Sequence, residues 1–268
     1  MSNDKEVIKR AVERHDIDSS IFQGRYVNFQ QGKYTDEFIY GRYQMFEEID
    51  SILSKLPKGS KVLDLGCGTG HFSTYIKTLG YDVTGLDPST KMLDYARQNF
   101  PEITFVEGYS NALPFEANTF DLIISIEVLR YLDTKIVIES YEDIYRTLKP
   151  GGKMFITHVN TLATEGYYIF YHFKKLIHNF KGTEYHSAYF TSANKEERTL
   201  KRIGFKNITC IGRMFATVRT GYKFGKTIGK TYAKILEKFN PKQRFEKSHF
   251  KNFTGHLIVI AEKQEFLL

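Results

Sequence analysis

The sequence predicts an α/β fold built on a doubly wound, mostly parallel sheet. From Lys61 onward, short apolar runs alternate with segments whose apolar residues recur at helical spacing, which is the pattern of repeated βα units. The run 120–126 is almost continuously apolar, as expected of a strand covered on both faces. The chain has 268 residues with 41% hydrophobic and 26% charged content, an ordinary globular composition.

The individual elements follow in chain order. Strands are expected at 61–65, 81–87, 103–108, 120–126, 152–158, 205–212 and 255–263, which makes a seven-stranded sheet. Helices are expected at 69–80, 88–100, 135–148 and 192–204, the first ending at Gly80 and the third before the turn LKPGG. Doubly wound sheets of this kind bind ligands at the carboxyl ends of their strands.

Outside these units the pattern loosens and predicts additions to the core. We expect a helical N-terminal lid over 1–56 and two substrate-side cap insertions, 161–189 and 215–254. The core itself would comprise 57–160, 190–214 and 255–265. The first insertion contains the aromatic-rich stretch 166–180.

Cysteine usage and hydropathy exclude several classes of protein. Cys67 and Cys210 are far apart and form no CxxC pair, which excludes a disulfide scaffold and a cysteine zinc site. The eight histidines show no HxxxH or HExxH spacing, so no metal is expected. No apolar run approaches the roughly 18 residues of a membrane span, and the charged N-terminus has no signal-peptide core. These features predict a cytoplasmic location.

One segment supplies the net charge of +7. Between Arg219 and Lys251, ten Lys and Arg residues stand against two Glu residues. Five lysines recur every three or four residues, and apolar residues occupy another face, which predicts a basic amphipathic helix. The lysines are Lys223, Lys226, Lys230, Lys234 and Lys238; the apolar residues are Ile228, Tyr232, Ile235, Leu236 and Phe239.

The partner of this helix stays open at the level of sequence. Nucleic acid, an anionic lipid surface, an acidic acceptor and a merely solvated face are all compatible with such a pattern. The helical stripe disfavours nucleic acid. A solvated face is the default interpretation of such a helix, and peripheral contact with an anionic membrane surface through 222–239 is a hypothesis beside the expected small-molecule or lipid-like acceptor. Oligomeric state leaves no signal in the sequence.

The segment VLDLGCGTG (62–70) carries the strongest functional signal. Glycines directly after a buried strand allow a sharp turn and a close approach of the backbone to a ligand. The spacing G-x-G-x-G differs from the dinucleotide pattern G-x-G-x-x-G, and Asp64 precedes it. A carboxylate beside the loop suits a ligand that carries an ammonium group rather than a phosphate.

These residues resemble the class I S-adenosylmethionine-dependent methyltransferases, most closely the small-molecule branch that includes ubiquinone and menaquinone methyltransferases. The resemblance covers about a third of the chain and rests on five motifs in order: VLDLGCGTG, TGLDPS (84–89), ALPF (112–115), TFDLIIS (119–125) and LKPGG (148–152). It implies a Rossmann-like methyltransferase fold, S-adenosylmethionine as cofactor, and methyl transfer to a small-molecule or lipid-like acceptor. A nucleic-acid-associated methyltransferase and a non-catalytic cofactor-binding module are the alternatives.

The resemblance also assigns cofactor-binding residues. Asp64 and the glycine loop would hold the methionine moiety, and Asp87 would accept from both ribose hydroxyls, with a helix N-cap as its alternative role. The full set of expected cofactor contacts is Asp64, Gly66, Cys67, Gly68, Gly70, Asp87, Pro88, Met92, Tyr109, Ser110, Asn111 and Ile126. Tyr109 stands where the family has an acid that accepts from the adenine amino group, so the Tyr109 hydroxyl, Asn111 or a backbone carbonyl would replace that acid.

Methyl transfer needs no obligatory catalytic residue, because proximity and desolvation can supply much of the acceleration. A hydroxyl acceptor would benefit from a general base. His158, at the end of the fifth predicted strand, is the first candidate. Glu127 and Tyr131 after the fourth strand and His186 in the first insertion are the others.

Overall fold

A computed structural model describes residues 32–163, 166–183, 185–213, 216–239 and 249–265. The helices are α1 (Glu37–Leu53), α2 (His71–Thr78), α3 (Thr90–Asn99), α4 (Thr134–Thr147), α5 (Tyr167–Phe180), α6 (Ala193–Ile203), α7 (Ala216–Lys223) and α8 (Lys226–Phe239). The strands are β1 (Lys61–Leu65), β2 (Asp82–Asp87), β3 (Thr104–Glu107), β4 (Phe120–Ser125), β5 (Leu148–Asn160), β6 (Phe190–Thr191), β7 (Phe205–Arg213) and β8 (His256–Lys263). A short 3-10 turn spans Leu129–Tyr131.

The strands form one sheet in the order β3-β2-β1-β4-β5-β8-β7, and the two-residue β6 pairs with β5. Strands β1 to β5 run parallel, whereas β8 runs antiparallel to both β5 and β7. The predicted doubly wound, mostly parallel sheet is confirmed. Because β8 is antiparallel, its first residue lies at the edge where β1, β2, β4 and β5 end.

Helices cover both faces of this sheet. Ile49 of α1 and Ile76 of α2 pack with Ile124, Phe155 and Ile258 on one face. On the other face, α4 and α6 pack over the alternate residues of β4, β5 and β8. Side chains of successive strand residues therefore point into different helical layers.

The N-terminal part of the chain contributes to the core. Residues 1–31 of the expected lid lie outside the described residues. Helix α1 begins at the N-cap Asp36, whose carboxylate accepts from the backbone N–H of Ile39, and Met45, Phe46 and Ile49 are buried against the sheet. The helix is therefore part of the sheet's packing, and the division into lid, core and caps stays a prediction.

Helices α7 and α8 form a hairpin that packs on the residues leading into α1. Gly229 and Ala233 of α8 are buried, with Tyr222 of α7 directly against Gly229. The Tyr34 hydroxyl, ahead of α1, donates to Glu237 of α8 at 2.5 Å. The predicted basic helix is α8, which carries four of the five lysines, whereas Lys223 is the last residue of α7. The prediction that the apolar residues form one face apart from the lysines was wrong.

The apolar side chains of α8 divide between two environments. Tyr232 and Leu236 pack against a buried cluster formed with Tyr40 of α1. Ile228, Ile235 and Phe239 are exposed instead. They therefore share the outer surface of the helix with its lysines.

Helix α5 is the most exposed apolar element of the described chain. Tyr171 is its one buried side chain, while Ile169, Phe170, Phe173 and Phe180 are 61 to 82% exposed. The segment 166–183 carries three lysines and no acidic residue. Within the described ranges, every helix is too short or too polar to cross a membrane.

Candidate functional site

The glycine loop leaves β1 at the carboxyl edge of the sheet and enters α2. Gly66 has φ +81° and a Cβ there would lie 2.2 Å from Val128, so packing against the turn after β4 requires glycine. Gly68 has φ +51° and a Cβ would meet the Met92 sulfur alone, at 3.3 Å. Gly66 is thus fixed by internal packing, whereas Gly68 faces an open side of the loop.

Two further members of the predicted set flank the loop. Gly70 is the left-handed N-cap residue of α2. The side chain of Cys67 is buried in a cluster with Leu93 and Phe105, so its thiol points away from the crevice. Cys67 can therefore offer a ligand its backbone alone.

Asp87, the last residue of β2, is oriented by backbone donors. Its Oδ2 accepts from the N–H of Gly68 and its Oδ1 from the N–H of Ser89, both at 2.9 Å. Ser89 itself caps α3 by accepting from the N–H of Met92. The cap role that we considered for Asp87 therefore belongs to Ser89, and two backbone donors fix the orientation of the Asp87 carboxylate.

Asp64 near the end of β1 is a buried acid. The Ser73 hydroxyl of α2 donates to its Oδ2 at 2.5 Å. Burial raises the pKa of Asp64 to about 7, the charge of Asp87 adds to this rise, and Ser73 and Arg42 oppose it. An ammonium group placed beside Asp64 would restore the carboxylate at neutral pH.

The predicted adenine side is built by the loop after β3. Tyr109 is 46% exposed and bridges to Ala112. The Ser110 hydroxyl is buried against Ser140 of α4, and the Asn111 amide donates to Glu139 at 2.9 Å. Ser110 therefore faces α4 through its side chain, which leaves Tyr109, the Asn111 carbonyl and backbone groups for a ligand. Pro88 and Met92 stand at the start of α3, half-buried and buried respectively.

Arg42 of α1 is a site residue that the sequence analysis missed. It is only 7% exposed, and its guanidinium lies 5.1 Å from the Phe38 ring. Among the described residues, no hydrogen-bond acceptor contacts that guanidinium. Its charge lowers the pKa of both Asp64 and Glu127. Because the buried Arg42 guanidinium has no hydrogen-bond acceptor among the described residues, its paired N–H donors are suited to bind the carboxylate of a ligand.

Glu127, directly after β4, is the centre of a polar cluster at the same edge. Its Oε1 lies 2.9 Å from His256 Nδ1 and 3.3 Å from the Thr157 hydroxyl, and Arg130 bonds to its Oε2. Burial by itself would raise the pKa of Glu127, but His256, Arg130 and Arg42 hold it well below the usual value. Glu127 is also one of three non-glycine residues described with positive φ, at +64°. The cluster therefore holds an ionised carboxylate in a strained position.

His158 does not join this cluster. It follows Thr157 on β5, so its ring points to the opposite face of the sheet. There its Nε2 lies 2.5 Å from the Tyr141 hydroxyl, which in turn donates to Glu196 at 2.6 Å. The ring is fully buried, and burial lowers the pKa of His158. These contacts tie β5 to α4 and α6 and argue against His158 as a base for an acceptor in the crevice.

The remaining predicted residues lie at the rim. The Arg130 guanidinium lies 5.4 Å from the centroid of the Tyr131 ring. Ile126 is half-buried and packs toward α1 and α2. His186 is half-buried, its backbone carbonyl accepts from the Tyr171 hydroxyl of α5, and its ring stacks near Tyr185.

Comparisons with known proteins show which proteins this chain resembles. A family model described as a methyltransferase domain matches residues 62–152. Malonyl-[acyl-carrier protein] O-methyltransferase of Pectobacterium atrosepticum is 35% identical over 42% of this chain and 46% of its own. Demethylmenaquinone methyltransferase of Chlorobaculum tepidum is 28% identical over 59% of this chain and 70% of its own. The chain spans about half the length of several of the curated relatives that it matches.

A solved structure shares the fold. Phosphoethanolamine N-methyltransferase 2 of Haemonchus contortus, in complex with S-adenosyl-L-methionine, superposes with a TM-score of 0.56 at 21% identity. The superposition covers 83% of this chain and 53% of that one. The chain thus has the fold of S-adenosylmethionine-dependent methyltransferases, and its residues 62–152 match the model of a methyltransferase domain. The resemblance inferred from the motifs, including that to menaquinone methyltransferases, is confirmed.

The raised pKa of Asp64 predicts a pH-dependent stability. A carboxyl whose folded pKa lies above its unfolded value favours the protonated folded state, so stability is lost as pH rises from about 4 to about 7. In urea unfolding of the ligand-free protein, the wild type should lose up to about 1.4 kcal/mol per pH unit relative to Asp64→Asn in this window. The asparagine side chain can still accept a hydrogen bond from the Ser73 hydroxyl. Because Glu127 is present in both proteins, its titration does not contribute to the difference between them.

A difference between the two proteins that stays constant from pH 4 to pH 7 would contradict the buried, neutral Asp64. Glu127 has the opposite effect on the pH dependence of stability, because its pKa is lowered in the folded protein. Its contribution to the free energy of unfolding is lost only when the pH falls below the usual glutamate range.

Proposed function

We propose that this protein transfers the methyl group of S-adenosylmethionine to a small-molecule or lipid-like acceptor. The arrangement of Asp64, Asp87, the glycine loop and Arg42 at one sheet edge carries this proposal, because it offers complementary groups for the ribose, the amino group and the carboxylate of that cofactor. S-adenosylmethionine supplies an electrophilic methyl group on a sulfonium centre. The crevice supplies orientation and exclusion of water.

The donor and acceptor chemistry of the site fits the cofactor. Asp87, whose carboxylate is oriented by two backbone donors at the carboxyl end of β2, would accept from the two ribose hydroxyls. Asp64 would face the amino group. Arg42, whose guanidinium is unfilled within the described chain, would pair with the carboxylate. Gly66, Cys67, Gly68 and Gly70 contribute backbone, and Pro88, Met92, Tyr109, Asn111 and Ile126 would border the adenosine.

Binding of the cofactor should depend on Asp87. Asp87→Ala removes two charge-assisted hydrogen bonds to the ribose, worth roughly 1.5–3 kcal/mol each, so affinity for S-adenosylhomocysteine should fall at least about tenfold. Asp82→Ala is the matched control, because Asp82 is exposed at the other end of the same strand. Calorimetric titration measures both variants, and an Asp87→Ala protein that binds as tightly as the wild type would contradict the cofactor site.

A lipid-like acceptor is supported by the surfaces beside the site. Tyr167 of α5 is close enough to Arg130 to influence its electrostatics, which brings the beginning of this apolar helix next to the Glu127 cluster. Exposed aromatic side chains combined with lysines and no acid are typical of helices that lie in the interface of anionic membranes. We therefore include peripheral membrane contact, through α5 together with the basic helix α8, in the proposal.

Vesicle flotation tests this contact. The wild type should float with vesicles of phosphatidylcholine and phosphatidylserine at low salt, and less with phosphatidylcholine alone, because each lysine near an anionic surface adds about 1 kcal/mol. Phe170→Ser with Phe173→Ser should lower the bound fraction by removing apolar insertion. Changing Lys226, Lys230 and Lys234 to Glu should abolish the preference for anionic vesicles.

The matched charge control is the triple variant Lys55→Glu, Lys91→Glu and Lys206→Glu, which changes three exposed lysines outside α5 and α8. Wild-type protein that fails to float with anionic vesicles at low salt would leave α5 without a lipid role and would indicate a soluble acceptor.

A further inference from the structure

The sequence analysis did not single out His256, yet this residue lies beside Glu127 at the carboxyl edge of the sheet. It opens β8 and stands in register with Val159 of β5 and Arg213 of β7. Its side chain is 17% exposed, as is that of Glu127. The two residues are 129 positions apart in the chain and meet because β8 is antiparallel.

The contact between the two side chains fixes the tautomer of the imidazole. Glu127 is held ionised by the cations around it, so its oxygens can only accept hydrogen bonds. His256 Nδ1, 2.9 Å away, must therefore carry the hydrogen. In the neutral ring, Nε2 then has the free lone pair, and within the described residues no group bonds to it.

The other charges around the ring are accounted for. Arg130 bonds to Glu127 from the 3-10 turn, and Thr157 of β5 contacts the same carboxylate without charge. Arg42 of α1 acts on Glu127, while Arg213 of β7 is paired with Glu48 of α1. One carboxylate thus orients the ring, and the surrounding cations keep that carboxylate ionised.

We propose that His256, oriented by Glu127, is the general base that takes the proton from a hydroxyl acceptor during methyl transfer. The inference rests on the proposed function and narrows its acceptor class. A neutral amine or a carboxylate can attack a sulfonium methyl without losing a proton first, whereas a hydroxyl gains from a base. A carboxylate-oriented imidazole at this position therefore indicates O-methylation of an alcohol, enol or phenol.

The step balances with the residues present. The acceptor oxygen forms the new bond to the methyl carbon, and the carbon–sulfur bonding pair stays on sulfur. The hydroxyl proton passes to Nε2 of His256, whose positive charge is offset by Glu127 through the Nδ1 hydrogen bond. Water later removes that proton.

The test compares two cofactor analogues that differ in charge at the position of the methyl group, so no methyl acceptor is needed. Sinefungin carries an ammonium group where the cofactor has its sulfonium methyl, and S-adenosylhomocysteine is neutral there. If Nε2 of His256 faces that position, a positive charge about 8 Å away at an effective dielectric near 20 should shift its titration midpoint downward by about 0.5 to 1.5 pH units. NMR of histidine-labelled full-length protein follows the ring in both complexes.

Two controls separate the effect of this local charge on His256 from a general effect of ligand binding on the protein. His172 on the exposed face of α5 should titrate identically in both complexes. Glu127→Gln removes the carboxylate that accepts from Nδ1, so the preference for a single tautomer of His256 should weaken in this variant. The nitrogen shifts should also show the Nδ1–H tautomer in the wild type.

The outcomes distinguish the inference from the function on which it rests. Failure of both ligands to bind by calorimetry overturns the proposed function. Binding of both with the same His256 midpoint, or an Nε2–H tautomer in the wild type, overturns His256 as the base and leaves the cofactor site intact.

Discussion

The crevice depends on the balance of charges buried at one edge of the sheet. Asp64 and Glu127 lie near the carboxyl ends of adjacent strands, β1 and β4; Asp64 is buried and Glu127 is half-buried. Buried carboxylates are costly unless cations or hydrogen bonds compensate them. Glu127 has this compensation in Arg130 and His256, whereas Asp64 has a serine hydroxyl and a raised pKa. The two halves of the crevice are therefore in different electrostatic states before any ligand binds.

This electrostatic difference supports a different ligand group for each half of the crevice. In the Asp64 half, the uncharged Ser73 hydroxyl donates to the carboxyl, and the nearby Arg42 guanidinium has no hydrogen-bond acceptor among the described residues. This half is therefore complementary to a zwitterion. The Glu127 half is internally neutralised and presents a histidine nitrogen instead. An amino-acid moiety fits the first half, and a neutral hydroxyl fits the second.

The sequence predicted the elements that are determined locally. The strands β1 to β5 and the glycine loop were readable because apolar runs and glycines mark them directly. The face on which His158 lies was not readable in advance, since it depends on the phase of β5 relative to its helices. Arg42 did leave a signal, because it occupies the same helical stripe as Ile39, Phe46 and Ile49, where a cation is unusual.

The contact between Glu127 and His256 could not be predicted, because it joins two segments through the antiparallel insertion of β8. The division of the apolar residues of α8 was equally hidden, since it requires the docking of that helix on Tyr40. Both features depend on tertiary packing rather than on local periodicity.

The central claim is that Arg42 and Asp64 recognise the two charges of the cofactor's amino-acid end. Calorimetric titration of wild type and Arg42→Gln with S-adenosylmethionine and with decarboxylated S-adenosylmethionine tests it most directly. The account predicts that Arg42→Gln weakens binding of S-adenosylmethionine at least about tenfold and changes binding of the decarboxylated form less than about twofold. Equal losses for both ligands would show that Arg42 does not contact the carboxylate and would contradict the account.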